Sequence, residues 1–373
     1  AYEIPLRLMG SEMCIRDRIY KKVMNYTISI WLKNVRRMRG FTLEEVSQRL
    51  NGMVTKQAIS KYERGLMKPS PVVMDALCKL YQAFPDFLLG RKPVVASDIS
   101  FRSKEPVPQK VKQRIISEVQ IWMGHYLALE NLFDAMTSFK NPVPGLGITC
   151  FDDMENVAIQ VRRKWGLGND AIASVCRMLE LAGVKVLELD IEEDVDGLCG
   201  WINKKTPFIV LKKNNVTVER KRFTALHELA HILFPLLETM DYNKKERMCH
   251  RFASAILLPK EVVYTYVGQI RDNLSVSELS SLRTMYGVSV AAIVHRLRDL
   301  SVISLDYYNH IFDDRIKYNL LEEGWGAYPL IDKAMKYASL VNRAVIEGYM
   351  ESNGQGMHID EKYKIGLGEI EIM

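Results

Sequence analysis

The sequence has no apolar run approaching the roughly 20 residues that a membrane span requires, and no segment with the charged start, apolar centre and small-residue cleavage site of a secretory signal. Those absences predict a cytoplasmic chain with no membrane partner. Its six cysteines, Cys14, Cys78, Cys150, Cys176, Cys199 and Cys249, are scattered without a CxxC pair. That scatter argues against a disulfide frame or a thiolate zinc site and fits reduced thiols. Internal repeats and low-complexity tracts are missing as well. What remains is ordinary globular composition, 48% apolar and 26% charged. At 373 residues the chain is too long for one ordinary core and suits two or three domains.

The net charge of +6 is unevenly placed. From Ile19 to Lys92 there are 14 Lys and Arg against 5 Asp and Glu, a local excess of +9, while residues 93–373 sum to −3. A basic first domain on a mildly acidic body points to a polyanionic partner for the first domain only. Residues 1–18 show neither helical nor strand periodicity, and the run Ser11-Glu12-Met13-Cys14-Ile15-Arg16-Asp17 resembles a translated sequencing adapter. Residues 1–23 are therefore read as an artefactual or disordered leader, with Met24 as the natural start.

Apolar residues at Ile28, Trp31, Leu32, Val35 and Met38 have helical spacing that ends at Gly40. Thr42 with Glu45 forms a capping box for a second helix, Asn51-Gly52 marks a turn, and Thr55 caps a third helix over 56–63. Pro69 and Ser70 open a fourth, with Val73, Ala76, Leu77 and Leu80 inward, and Phe84, Phe87 and Leu88 close the small core. Residues 24–92 are thus read as a compact all-α domain. The prolines at 93, 106 and 108 mark 91–112 as a linker, followed by a helix from Val111 to Ser138, so 93–149 is read as linker and long helix. From 150 to 270 the pattern is α+β: helices over 154–165 and 170–181, strands near 184–187, 200–203 and 208–211, then helices over 218–234 and 244–257. Residues 271–373 look helical. Their Ser277–Leu300 segment has a helix–turn–helix rhythm in which Ser289, Ala292, His295 and Arg296 could be exposed. Its low net charge favours a domain-closing helical pair over a second DNA reader.

The strongest chemical signal is His227-Glu228-Leu229-Ala230-His231. On a helix, positions i and i+4 share a face, so both imidazoles can reach one zinc ion. Glu228 lies beside them, where a carboxylate can act as general base on a metal-bound water. A catalytic zinc takes a third protein ligand, and the helix over 244–257 offers Glu246, Cys249 and His250. Residues 219–259, with Arg222-Phe223-Thr224 ahead of the motif and Glu246 through Phe252-Ala253, Leu257-Leu258 and Pro259 after it, resemble the ImmA/IrrE metallopeptidases. That resemblance implies a zincin-like fold covering about 150–270, zinc (Zn2+) as cofactor and Glu246 as third ligand, as in gluzincins. Where the family has asparagine this chain has His250. That departure leaves open whether His250 binds metal, orients Glu246 or assists the oxyanion as a second-layer group. His125, His295, His310 and His358 stand alone outside this block.

Residues 29–89 resemble the lambda-repressor-like (Xre-type) helix–turn–helix family. The matching residues are Leu32, Arg36, Thr42 to Val46, Val54 to Gly65, Pro69 and Leu77. Lys56, Gln57, Ser60 and Lys61 project from the start of the third helix, the part that enters a major groove. Gln57 can pair with adenine, and Lys61 with guanine or phosphate. Ala58, Ile59 and Tyr62 pack inward. A small helical protein-binding module is the alternative.

The fold expected is therefore multidomain: an all-α helix–turn–helix domain, an α+β zincin-like metallopeptidase domain and a helical C-terminal region. The function expected is a DNA-binding transcriptional regulator with a zinc-dependent endopeptidase domain. Its partners would be double-stranded operator DNA and a protein substrate, which the resemblance suggests is a repressor or a toxin–antitoxin component cleaved in cis or trans, with a homodimer as a further expectation. The rival is a regulator or antitoxin whose metallopeptidase fold serves as a sensor or binding surface without proteolysis. The intact Glu228 favours the enzyme, since a sensor has no need of a base.

Overall fold

The structure is a computed structural model and describes residues 28–81, 94–103, 105–191, 194–235 and 240–347. The readings of the leader and Met24, of Phe84, Phe87, Leu88 and Pro93, and of His358 lie outside the described residues. The chain divides into two compact units. One comprises Ala1–Ala96, Val107–Met136 and Ala338–Met373, the other Ser97–Pro106 and Thr137–Tyr337.

In the first unit, α1 is helical over 28–38 and ends at Gly40, whose φ of 73° is a left-handed value that suits glycine. Helix α2 (Leu43–Arg49) has the expected capping box: Thr42 Oγ1 accepts from Glu45 N, and Glu45 accepts from Thr42 N. Asn51 and Gly52 both take left-handed φ, 50° and 72°, and turn the chain into α3 (Lys56–Glu63). Helix α4 (Pro71–Tyr81) follows. Leu32, Val35, Val46, Val54, Ile59, Tyr62, Leu77 and Tyr81 form the shared core. Arg36 joins α1 to α3 through a two-pronged ion pair with Glu63, at 2.6 and 2.8 Å. The long helix α5 (Gln109–Leu132) and most of α14 (Lys336–Ile346) also belong to this unit.

The second unit is built on a four-stranded sheet in the order β1-β3-β4-β2. Strand β2 (Lys185–Leu189) runs parallel to β4 (Thr206–Lys212), and β3 (Val195–Ile202) runs antiparallel to it with Gly197 opposite Leu211. The central β4 is buried from Pro207 to Leu211, as the apolar run implies. The sequence reading starts β3 five residues late. Gly197 already pairs in the ladder, opposite Leu211. The larger difference is β1 (Ala96–Ser103), an edge strand inside the stretch read as linker. Flanking prolines outweighed the weak alternation of Ile99 and Phe101.

Helices α6 (Phe151–Lys164) and α8 (Val218–Leu233) both pack on α9 (Tyr242–Leu257), and α8 lies against β3 and β4. Helix α7 (Val175–Leu181) is shorter than expected because Ser174 caps it late, with Asp332 accepting from Ser174 Oγ and from the amides of Val175 and Cys176. Helices α10 (Lys260–Tyr266), α11 (Val276–Tyr286), α12 (Val290–Asp299) and α13 (Leu305–Ile311) continue the same apolar core, so no core boundary falls at 270. Arg296, expected to be exposable, is instead 1% exposed. It donates to Leu258 O and pairs with Glu155. An arginine saturated in this way closes a domain and reads no DNA. Among the described residues no helix is long and apolar enough to cross a membrane.

Candidate metal centre and nucleic-acid interface

Helix α8 is fixed at its N-terminal turn by ion pairs. Arg220 pairs with Asp196, Lys221 with Glu188, Arg222 with Asp332, and Arg283 with Glu219. Arg222 also donates to the carbonyls of Ile172, Ala173, Tyr286 and Gly287. Buried charges are tolerated only when paired and hydrogen-bonded to this degree, and breaking one is costly. The helix that carries the candidate ligands is thus a rigid element held from several directions.

On its inner face, His227 Nε2 and His231 Nε2 lie 3.3 Å apart. Glu246, from α9, brings its carboxylate to 3.1 Å from His227 Nε2 and 3.5 Å from His231 Nε2. Three donor atoms from two helices thus point at one another. Cys249 stands on the other side of His231, with Sγ 3.8 Å from Nδ1, and His250 lays its ring 4.8 Å from that of His227. His227 is fully buried. That burial, with the positive charge of Arg102 next, pushes its pKa well below the ordinary histidine value. A neutral imidazole is the form that binds metal.

Glu228 is 0% exposed, and neither of its oxygens is bonded to a protein nitrogen or oxygen. Burial pushes its pKa up to about 7, against the pull of the Cys199 thiol and the Arg102 charge. A buried carboxyl with both oxygens short of donors is expensive in a sealed core. Beside two imidazoles and a second carboxylate it fits a site completed by a cation and its water. The donor set of two nitrogens and one carboxylate also suits zinc. Gly197 on β3 allows the close packing here: a Cβ would stand 2.8 Å from Thr224 Cγ2 and 3.7 Å from Glu228 Cγ.

The structure thus brings together His227, Glu228, His231, Glu246 and His250, all named from sequence. Sequence reasoning missed Arg102 of β1, whose Nη2 is 3.5 Å from His250 Nε2 and whose guanidinium lies 5.5 Å from the Phe223 ring centroid. It also missed Asp332, which anchors α8 through Arg222. The one available signal for Arg102 was the alternation of Ile99 and Phe101. His295 contacts Tyr308 and Phe312.

On α3, Thr55 Oγ1 accepts from Ala58 N and fixes the helix start. Lys56, Gln57 and Lys61 are exposed, Ser60 and Ala58 half-buried, and Ile59 and Tyr62 buried, so one polar face is left outward. Lys56 is held by Glu44 at 2.7 Å in an exposed pair that a phosphate could replace.

Residues 32–85 match the family model of the helix-turn-helix, and residues 179–298 match that of the IrrE N-terminal-like domain of peptidase family M78. No curated protein matches the chain. One polypeptide therefore joins an Xre-like helix–turn–helix DNA-binding domain to an IrrE/ImmA-like peptidase domain.

Proposed function

We propose that the protein is a cytoplasmic transcriptional regulator that binds an operator through α3 and cleaves a regulatory protein at the α8–α9 site. The observation that carries this reading is the convergence of His227, His231 and Glu246 beside a fully buried Glu228. His227 and His231 would hold zinc through their Nε2 atoms, with Glu246 as the third ligand, because its carboxylate reaches both imidazoles. His250 shares the cluster, its ligand atom within 4.8 Å of those of His227 and Glu246, but it accepts from Arg102, so it is read as a neighbour of the site rather than a ligand.

A zinc ion bound there supplies Lewis acidity for amide hydrolysis. Glu228 takes the proton from the attacking water and returns it to the departing amine, a role that suits a carboxyl poised near 7. Cys249 beside His231 Nδ1 orients that ring. The substrate is a repressor or a toxin–antitoxin component, in cis or in trans. A purely sensory role would leave Glu228 without a task.

The test is quantitative proteomics of cells carrying wild type or Glu228→Gln, together with metal analysis of both proteins. One protein that accumulates only in the Glu228→Gln strain, with zinc retained, supports the reading. Identical proteomes and zinc-free wild-type protein overturn it.

A further inference from the structure

Strand β1 is an edge strand whose sheet neighbour is β3. Strand β3 crosses α8 at the metal site, as the contacts of Gly197 with Thr224 and Glu228 show. Without β1, the outer edge of β3 would present backbone N–H and C=O groups alongside that site. An open edge of this kind captures an extended peptide by strand addition. Gly200 of β3 permits a close approach on this side: a Cβ there would stand 2.9 Å from Ser97 O. The chain fills this place with its own segment.

Arg102, near the end of β1, occupies the ground between His250 and Phe223. The carboxylates of Glu228, Asp196 and Glu246 are the opposite charges acting on it. It is poorly held for an arginine in this unit. Arg222 donates to four carbonyls and one carboxylate. Arg162 donates to the carbonyls of Gly168, Ile256, Leu167 and Asp170. Beside the Phe223 ring, Arg102 makes one long hydrogen-bond contact, at 3.5 Å to His250, and its Nη1 is buried without a hydrogen-bond partner. A side chain installed for stability is not left so. The strand itself is irregular: Asp98, in its middle, has a φ of 50°, a left-handed value that kinks a strand.

We propose that β1 is a built-in occupant of a peptide-binding edge: β3 takes up an extended substrate peptide, and the place of Arg102 is a subsite for a basic side chain of that peptide. The proposal rests on the reading of the site as a peptidase centre. A substrate must displace β1, so the strand competes with it at the high effective concentration of a tethered segment.

The experiment uses the full-length, zinc-loaded protein and a fluorescein-labelled peptide, Ala-Ser-Asp-Ile-Ser-Phe-Arg-Ser, the sequence of residues 96–103. Binding is read by anisotropy. Ser100→Pro with Phe101→Pro removes two successive amides, so whichever of them faces β3 is lost. That variant is expected to bind the peptide at least about tenfold more tightly than wild type, because the tethered competitor is gone. Replacing the peptide's arginine by alanine is expected to weaken binding by about tenfold. Arg102→Ala in the full chain keeps the strand backbone and is expected to tighten binding by about threefold, which decides the matter if the proline variant does not fold. Equal affinity for wild type and variants, or indifference to the peptide's arginine, overturns the proposal. Peptide binding with the expected strand dependence but no cleavage would instead sink the peptidase reading and leave the docking edge standing.

Discussion

Lys56, Gln57 and Lys61 stand exposed on α3, whereas His227 and Glu228 on α8 are wholly buried. The helix–turn–helix keeps its core and its functional face on opposite sides of one helix: Ile59 and Tyr62 go in, and the polar residues stay out. The metal-site helix has no such division. Its candidate ligands and base are packed among Leu226, Leu229 and Ala230, and the helix is pinned by Arg222, Lys221 and Glu219. The difference follows from the chemistry proposed for each region. Duplex DNA is too large to be enclosed and is met at a surface. A neutral imidazole and a carboxyl raised to about 7 require exclusion of water. Changes to the functional face should therefore be nearly free of structural cost in the first region and coupled to it in the second.

The largest effect is expected at the ligands. His227→Ala with His231→Ala should abolish zinc binding while leaving operator affinity unchanged, measured by elemental analysis and by titration of labelled DNA. Stoichiometric zinc in the double variant would remove the site assignment, and lost DNA binding would show that metal binding and DNA binding are coupled.

Next come the buried ion pairs that support each region. Arg296→Ala leaves Glu155 with Arg251 as its remaining partner. It should destabilise the second unit by about 3 kcal/mol, the lower end for breaking a buried pair, because one cation remains. Arg36→Ala in the first unit also loses a two-pronged pair, but one nearer solvent. Its cost should be about 1–2 kcal/mol. Urea titrations followed by hydrogen exchange in each unit separate the two, and a larger loss for Arg36→Ala would invert the comparison.

The same contrast explains what could be read from sequence. The first region is more local: a capping box at Thr42, an N-cap at Thr55, an Asn-Gly turn and helical spacing over 28–81 set its elements, and its longer ties, such as Arg36 to Glu63, still fall within this short stretch. The HELAH motif was equally legible, since i and i+4 on one helix need no tertiary knowledge; the same spacing put Glu246 and His250 on one face of α9, and the family resemblance, not spacing, singled out Glu246. What escaped depends on distant partners. Strand β1 has weak local preference and exists because β3 offers it an edge. Asp332 finds Arg222 across 110 positions, and no spacing rule reaches that far.

Within the metal site, Glu246→Ala should weaken zinc binding by about tenfold or more and end proteolysis. His250→Asn should preserve metal and most activity. Competition with a zinc-sensitive dye reads both, and the reverse order would make His250 the ligand. A smaller change still is Glu228→Gln. It replaces a buried carboxyl that has no nitrogen or oxygen donor, only the Cys199 thiol beside it, by a neutral group of the same shape, so Tm and zinc content should hold while cleavage is lost. A variant that still cleaves would show that another group is the base.

The smallest effects belong to the exposed face of α3. Neither Gln57→Ala nor Lys61→Ala removes a buried contact, so both should leave thermal stability within about 0.5 kcal/mol of wild type. Their consequences for DNA should differ in kind. Gln57, near the helix start, can present both its donor and its acceptor to one base, and its loss should cost about 1–3 kcal/mol on the preferred operator and little on other sequences. Lys61, one turn further along, offers a point charge. If it meets phosphate, its loss should weaken all sequences alike and reduce the salt slope of binding by about one. Titrations of a preferred and a scrambled duplex at several salt concentrations measure both quantities at once. A uniform loss for Gln57→Ala together with a sequence-dependent loss for Lys61→Ala would exchange the two roles. No loss for either would move the reading face off α3 and leave the exposed polar face without the function that distinguishes it from the buried face of α8.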